Sequence, residues 1–203
     1  MARRRIRIEQ SVRQAAEEAA EVLKAGGVIV FPTETVYGVG VAAGNADALH
    51  KLRALKNRQA GKPFQFLAAD MAMAERLGAF FTPKAKKLAR NYWPGPLTLV
   101  VADGTGDADA TLGIRIPDSP FVLALCRELD GAVISSSANP AGAPPPLDAE
   151  VADVFGDAID LLIDGGPIPG GAPSTVVDCR SDDYLILREG SVDAEAVKSA
   201  WEE

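Results

Sequence analysis

Polar side chains able to bind anions follow several short apolar segments of this sequence. Thr33, Glu34 and Thr35 come directly after the apolar run at residues 28–31. In an extended segment, residues two apart point to the same side, so both threonine hydroxyls would face one ligand. Hydroxyls and open backbone at the end of a buried strand suit a small anionic ligand. A T-x-T pattern is weak by itself, however, and an ordinary turn after a strand also explains it.

Three basic residues, Lys56, Arg58 and Lys62, follow the second predicted helix. Lys56 and Arg58 can converge on a ligand only if the helix has ended, because residues two apart do not share a helix face. Gly61 and Pro63 indicate that it has ended. A basic helix end is also expected from the helix macrodipole alone, so a solvated helix terminus is the alternative.

Arg115 lies in the alternating segment 113–117, where Ile114 and Ile116 take one face of a strand and the arginine takes the other. A guanidinium group can bind a carboxylate or a phosphate through two parallel hydrogen bonds. Arg115 is therefore a candidate anion ligand. The alternative is an edge-strand arginine paired with a surface acid.

Further polar residues stand at the ends of later strands. Ser137 and Asn139 are two residues apart after an apolar strand, and Arg188 ends a strand predicted over residues 184–188. Turn chemistry favours serine and asparagine at such places without any ligand. Ser174 follows the glycine- and proline-rich segment 165–173 directly. That segment predicts either a lid that closes over a substrate or a passive surface connection.

Helices and strands alternate along the whole chain. Capping residues predict helices that begin after Ser11, Asn45, Asp70, Thr82, Ser119 and Asp193. Apolar runs predict strands over residues 28–31, 64–68, 97–101, 111–116, 132–135, 159–163, 174–178 and 184–188. No repeat and no linker interrupts this pattern. We therefore expect a single α/β domain over residues 1–203, built on an open, twisted mixed sheet flanked by helices.

Composition narrows the functional classes. A net charge of −7 makes the surface repel nucleic acid at long range, which counts against an RNA-coating role but leaves room for a local cationic cleft. The two cysteines, Cys126 and Cys179, do not indicate a disulfide scaffold, and His50 alone cannot build a multi-histidine metal site. No apolar run reaches transmembrane length. These features predict a cytoplasmic protein with no membrane partner and no metal held by protein ligands.

Seven short motifs, taken in order, resemble those of the YrdC-domain family. They are PTETVYGVG, K-N-R, WPGPLT, GIRIP, SSSAN, PSTVVD and ILREG, and the resemblance as a whole extends from about residue 12 to about residue 192. The best-known members of this family are the L-threonylcarbamoyladenylate synthases. The resemblance implies an open twisted sheet with a basic concave cleft.

The resemblance also implies a nucleotidyltransferase reaction. L-Threonine, bicarbonate or CO₂, and ATP would give threonylcarbamoyl-AMP and pyrophosphate, with Mg²⁺ accompanying ATP. The product would pass to a tRNA threonylcarbamoyl-transferase complex, and direct tRNA contact is a weaker expectation. No protein nucleophile is required, because the substrates need only alignment and stabilisation of the phosphate charge.

Candidate site residues follow from the matching motifs. The threonine part would be held by Thr35, Arg115 and Ser174. ATP would be held by Lys56, Arg58, Lys62, Thr111, Ser137, Asn139 and Arg188. Catalysis, in the sense of charge stabilisation, would rest on Lys56, Arg58 and Arg115.

Three positions depart from the family pattern. Leu67 stands where members often have histidine, and Gln59 and Glu189 stand where proline is common. These departures keep two alternatives open: an RNA-binding module of the same fold, and a paralogue of the fold that uses another acceptor.

Overall fold

The computed structural model describes residues 4–57, 63–107, 109–140, 142–169 and 171–202. Its strands are β1 (Arg4–Arg7), β2 (Ile29–Pro32), β3 (Tyr37–Ala42), β4 (Gln65–Leu67), β5 (Leu97–Ala102), β6 (Thr111–Arg115), β7 (Val133–Ser137), β8 (Leu161–Asp164), β9 (Thr175–Asp178) and β10 (Leu185–Arg188). Its α-helices are α1 (Val12–Lys24), α2 (Ala46–Leu55), α3 (Met71–Arg76), α4 (Pro83–Tyr92), α5 (Pro120–Leu129), α6 (Ala152–Phe155) and α7 (Ala194–Glu202). Short 3₁₀ turns cover Ile8–Gln10, Ala149–Val151 and Gly156–Ala158.

These strands form one open mixed sheet, which confirms the predicted α/β class. The strand order is β1-β8-β2-β3-β7-β4-β6-β5-β9-β10. Four neighbouring pairs are parallel: β1 with β8, β2 with β8, β4 with β6, and β5 with β9. The other neighbours are antiparallel. Strand ends that are far apart in the sequence therefore meet on one surface.

Side-chain caps start the predicted helices. Ser11 Oγ accepts a hydrogen bond from the N–H of Gln14 at 3.2 Å, and Asn45 Oδ1 accepts from the N–H of Ala48 at 2.9 Å. Asp70 caps α3 in the same way. Each such cap stabilises a helix by about 1 kcal/mol, because it satisfies a backbone donor that the helix itself leaves unpaired.

Two strands differ from the sequence-based expectation. No strand was predicted at the arginine-rich start, but it forms β1, and Arg5 Nη2 lies 2.7 Å from Asp164 Oδ2 on β8. No strand was predicted directly after Thr35 either, but Tyr37–Ala42 form β3 between β2 and β7. Glycine is required in β3, since a Cβ at Gly40 would lie 2.8 Å from the carbonyl oxygen of Ile134.

Helices cover one face of the sheet more fully than the other. Helices α1, α3, α4, α5 and α7 pack against a core that includes Leu99 and Ile114. On the opposite face, α2 and α6 pack against a second core around Val39 and Leu162, over β2, β3, β7 and β8. The part of this second face that lies over β4, β6, β5 and β9 forms an open cleft. Within the described ranges, no helix combines the length and apolar composition that crossing a bilayer requires.

Candidate functional site

The cleft has a volume of about 410 Å³ and is lined by residues from the ends of several strands. Its polar lining residues are Thr35, Gln65, Thr98, Arg115, Ser135, Ser136, Ser137, Ser174 and Arg188, and its apolar ones include Phe64, Val100, Val176 and Leu187. Five of the sequence-predicted site residues are among them: Thr35, Arg115, Ser137, Ser174 and Arg188. Hydroxyl groups outnumber charged groups in this lining, so the expected basic character of the cleft stays a prediction.

The turn between β2 and β3 places the hydroxyl of Thr35 in the cleft. Thr33 and Thr35 lie on one side, as expected, but a tight turn rather than an extended segment brings their hydroxyl oxygens to 2.9 Å. Thr33 Oγ1 donates to the carbonyl oxygen of Val36 at 2.7 Å and accepts from the N–H of Val36 at 3.2 Å. The side chain of Thr33 thus closes the turn, while Thr35 is left to face the cleft.

Arg115 lies behind Thr35, at the inner end of the cleft. It is 2% exposed, and β6 is a central strand, so the expectation of an edge-strand arginine is wrong, although Arg115 does pair with an acid, Glu34. Its Nε donates to the carbonyl oxygen of Gly95 at 3.1 Å, and its Nη1 donates to Thr35 Oγ1 at 3.0 Å. Burial lowers the pKa of Arg115, while the carboxylate of Glu34 opposes that shift.

The third nitrogen of Arg115 pairs with Glu34, a residue of the same turn as Thr35. Nη2 lies 2.6 Å from Glu34 Oε1, a distance that makes an ion pair, but the orientation does not meet hydrogen-bond geometry. Among the described residues, neither Nη2 nor Glu34 Oε2 has a hydrogen-bond partner. Glu34 Oε1 also accepts from the N–H of Asp118 at 3.0 Å. Arg115 therefore contacts the cleft in two ways, directly as a lining residue and through its hydrogen bond to the hydroxyl of Thr35.

A row of hydrogen-bonded side chains crosses the floor of the cleft. Thr98 Oγ1 on β5 lies 3.2 Å from Gln65 Oε1 on β4 and 2.8 Å from Ser174 Oγ, directly before β9. Arg188 on β10 donates to the carbonyl oxygen of Ser174 from Nε at 3.2 Å and from Nη2 at 2.7 Å, and Nη2 also donates to the Ser174 hydroxyl at 3.1 Å. Gly113 stands on the strand between Gln65 and Thr98 and presents no side chain to block their contact. The predicted pair Ser174 and Arg188 thus forms part of a larger network.

Lys56 and Asn139 support the loop after β7 and are not among the residues that line the cleft. Lys56 is 8% exposed, and its Nζ donates to the carbonyl oxygens of Ser137, at 2.8 Å, and Asn139. Asn139 turns its amide nitrogen into its own loop, toward the carbonyl oxygens of Pro140 and Ala143. Ser137 and Asn139 are two residues apart, a spacing that in an extended segment would place them on one side, but only Ser137 lines the cleft because the chain bends after β7. Asn139 Oδ1 is buried without a hydrogen-bond partner among the described residues.

The remaining predicted positions lie elsewhere. Thr111 starts β6, four residues and about 13 Å of strand from Arg115, and does not line the cleft. Arg58 and Lys62 lie outside the described residues, so their predicted contact with ATP stays a prediction. Leu67, at the position where the resembling family often has histidine, is fully buried in the core with Val133 as its partner on β7.

The sequence-based interpretation missed two members of the floor, Gln65 and Thr98, and two serines of β7, Ser135 and Ser136. Thr98 belongs to the motif WPGPLT, and Ser135 and Ser136 belong to SSSAN, so a motif-based search had a signal for three of the four. Gln65 has no such signal. It becomes visible only because β4 lies beside β6 and β7 in the sheet.

Comparison with known proteins adds independent findings. A family model described as Telomere recombination, for the Sua5/YciO/YrdC proteins, matches residues 21–190. A threonylcarbamoyl-AMP synthase of Bacillus subtilis is 37% identical over 190 residues, which cover 90% of this chain and 55% of that protein. One from Coxiella burnetii is 35% identical over 182 residues, which cover 86% of this chain and 97% of that protein. The chain thus spans little more than half the length of the first relative and nearly all of the second.

Solved structures share the same architecture. Sua5 of P. abyssi in complex with L-threonine superposes with a TM-score of 0.86 at 33% identity, covering 98% of this chain and 60% of that one. YciO of E. coli superposes with a TM-score of 0.86 at 26% identity, covering 97% of this chain and 100% of that one.

Proposed function

This chain belongs to the Sua5/YciO/YrdC family, and on that premise we propose that it is an L-threonylcarbamoyladenylate synthase. It would make threonylcarbamoyl-AMP and pyrophosphate from L-threonine, bicarbonate or CO₂, and ATP. The observation that carries this proposal is the convergence of Thr35, Arg115 and Ser174 with Ser137 and Arg188 on one cleft of about 410 Å³. A related protein of the same fold is known in complex with L-threonine.

The residue types in the cleft suit this reaction. The amine of threonine adds to CO₂, an oxygen of the resulting carbamate attacks the α-phosphorus of ATP, and pyrophosphate leaves. Neither bond-forming step needs a covalent bond to the protein. Hydroxyl and guanidinium groups held by hydrogen bonds can align the two substrates and stabilise the developing charge.

The geometry suggests a division of roles. Thr35 and Ser174 would contact the threonine part, and Arg115 would orient Thr35 from behind. Ser137 and Arg188 would contact ATP, and Lys56 would act through the loop whose carbonyl oxygens it binds. Mg²⁺ would enter with ATP, bound mainly by the phosphates and water.

The buried oxygen of Asn139 gives the loop after β7 a further role in this proposal. Asn139 Oδ1 can accept a hydrogen bond, and the described residues offer it none. A donor from the nucleotide would satisfy it, after a small movement of the loop. The product, a mixed anhydride that water hydrolyses, would then be handed to a tRNA threonylcarbamoyl-transferase complex rather than accumulate.

One assay tests the proposal directly. Purified protein is given ATP, Mg²⁺, bicarbonate and L-threonine, and pyrophosphate and the AMP-linked product are measured. We expect both to depend on threonine and on bicarbonate, and to disappear when either is omitted.

The same assay separates the alternatives. Product formation with another amino acid but not with threonine would assign the chain to a paralogue with a different acceptor. Binding of RNA without any pyrophosphate release would favour an RNA-binding module instead.

A further inference from the structure

The row of side chains across the floor of the cleft has a fixed direction of hydrogen bonding. Gln65 presents its carbonyl oxygen, Oε1, to Thr98, and that oxygen carries no proton. Thr98 must therefore donate its single hydroxyl proton to Gln65. Since that proton is used, Thr98 Oγ1 can only accept from Ser174 Oγ, which lies 2.8 Å away.

The hydroxyl of Ser174 is consequently left as an acceptor. Its proton goes to Thr98, and one of its two lone pairs receives the N–H of Arg188 Nη2 at 3.1 Å. One lone pair remains. Because Ser174 lines the cleft, this lone pair is what its hydroxyl can offer to a bound molecule.

The hydroxyl of Thr35 is not fixed in the same way. Thr33 Oγ1 gives its proton to the carbonyl oxygen of Val36, and its two lone pairs accept the N–H groups of Thr35 and Val36, each at 3.2 Å. The 2.9 Å contact between the two threonine hydroxyls therefore does not assign the proton of Thr35. Arg115 Nη1 donates to Thr35 Oγ1 at 3.0 Å. The hydrogen bonds of the cleft thus fix the polarity of Ser174 and not that of Thr35.

We propose that Gln65 and Thr98 are positioning residues that hold the Ser174 hydroxyl as an obligatory hydrogen-bond acceptor for the substrate. This inference rests on the proposed function, in which the substrate is L-threonine. Threonine has two kinds of donor, the amine and the side-chain hydroxyl, and either can satisfy an acceptor. Its carboxylate cannot donate, so the polarity of the floor decides which groups of the amino acid can face Ser174.

Substitutions at Thr98 test this polarity with little change in volume. Thr98→Val removes the acceptor of the Ser174 proton, so the serine hydroxyl can turn that proton into the cleft. Thr98→Ser keeps the hydroxyl and serves as the matched control. We expect Thr98→Val to weaken L-threonine binding about five- to tenfold, as for the loss of one hydrogen bond, with Thr98→Ser near wild type. Gln65→Leu should behave like Thr98→Val, and calorimetry should show ATP affinity unchanged in all three.

A double-mutant cycle shows whether Thr98 acts through Ser174. In a protein that already carries Ser174→Ala, Thr98→Val should cause no further loss of threonine affinity. If Thr98 only supported general packing, Thr98→Val would cause the same loss in the wild-type protein and in Ser174→Ala. The loss of affinity for O-methyl-L-threonine that Ser174→Ala causes then identifies the substrate group that donates to Ser174. This loss vanishes if the side-chain hydroxyl of threonine is the donor, and it persists if the amine is the donor.

Two results would overturn the inference while leaving the proposed function intact. One is wild-type threonine affinity in Thr98→Val, and the other is an equal loss in both backgrounds. If the wild-type protein itself does not bind L-threonine, the proposed function fails and this assignment fails with it.

Discussion

Replacing Arg115 by methionine separates two effects that this arginine combines. Methionine keeps much of the apolar volume but removes the guanidinium group, which contacts Gly95, Thr35 and Glu34. The hydroxyl of Thr35 then loses the donor that orients it. The carboxylate of Glu34 loses its cation and, among the residues that the structure describes, keeps the N–H of Asp118 as its partner.

The structure sets the expected magnitudes. Removing one member of a buried ion pair typically costs about 3–5 kcal/mol, because the other charge is left uncompensated. The side chain of Glu34 is 22% exposed, against 3% for Arg115, so water can solvate part of the remaining charge. We therefore expect the free energy of unfolding to fall by about 3 kcal/mol, at the lower end of that range. Threonine affinity should fall about tenfold through the loss of the contact to Thr35.

Urea unfolding and calorimetric titration with L-threonine measure the two effects separately. The double variant Glu34→Gln with Arg115→Met removes the stranded charge, so it should regain part of the lost stability without regaining threonine affinity. Arg180→Met is the control, since its ion pair with Asp178 lies at the surface and should contribute less than about 1 kcal/mol. Wild-type stability of Arg115→Met, or normal threonine binding by the double variant, would contradict these roles of Arg115.

Four further outcomes can be checked. Lys56→Ala loses charge-assisted bonds to the loop after β7 and should lower turnover about ten- to hundredfold with unchanged circular dichroism; near-wild-type turnover would remove Lys56 from the mechanism. Burial acts to raise the pKa of Asp164, but the N–H of Gly166 and the guanidinium of Arg5 outweigh it and lower that pKa. The ionised carboxylate of Asp164 thus stabilises the fold above about pH 4, and this contribution is lost as the pH falls through the pKa of Asp164 in the native protein. In Asp164→Asn the free energy of unfolding should therefore fall less steeply as the pH is lowered below about 4. Burial raises the pKa of the Cys126 and Cys179 thiols to about 12, so iodoacetamide at pH 8 should modify them only after unfolding, and fast labelling of the native protein would contradict their burial. Hydrogen exchange should slow across residues 171–174 when ATP and threonine are both present, and unchanged exchange there beside protected cleft strands would reduce this segment to a passive connection.

Local signals predicted the helices well, because capping chemistry is confined to a few neighbouring residues. The pair Ser119 and Pro120 marks the start of α5 correctly, with Ser119 Oγ accepting from the N–H of Val122. Strand β1 was missed because an arginine-rich segment shows no apolar alternation, and only its pairing with β8 makes it a strand. Strand β3 was missed because glycine usually signals a loop, whereas Gly40 is needed for close approach to β7.

The sequence by itself determined which residue types stand at the strand ends, and so it determined the family, the mixed α/β fold and five of the nine polar residues that line the cleft. Thr35, Ser137, Ser174 and Arg188 face the cleft because each lies at or beside the end of a strand that local sequence signals place. Only the tertiary structure decided what these groups can do.

Arg115 orients Thr35 from a buried position, and Lys56 holds a loop instead of lining the cleft. The polarity of Ser174 likewise depends on Gln65 and Thr98, which are 33 residues apart, and Thr98 is in turn 76 residues from Ser174. The physical reason is that periodicity and capping act over a few residues, whereas the donor and acceptor of each decisive hydrogen bond come from strands that only the order of the sheet brings together.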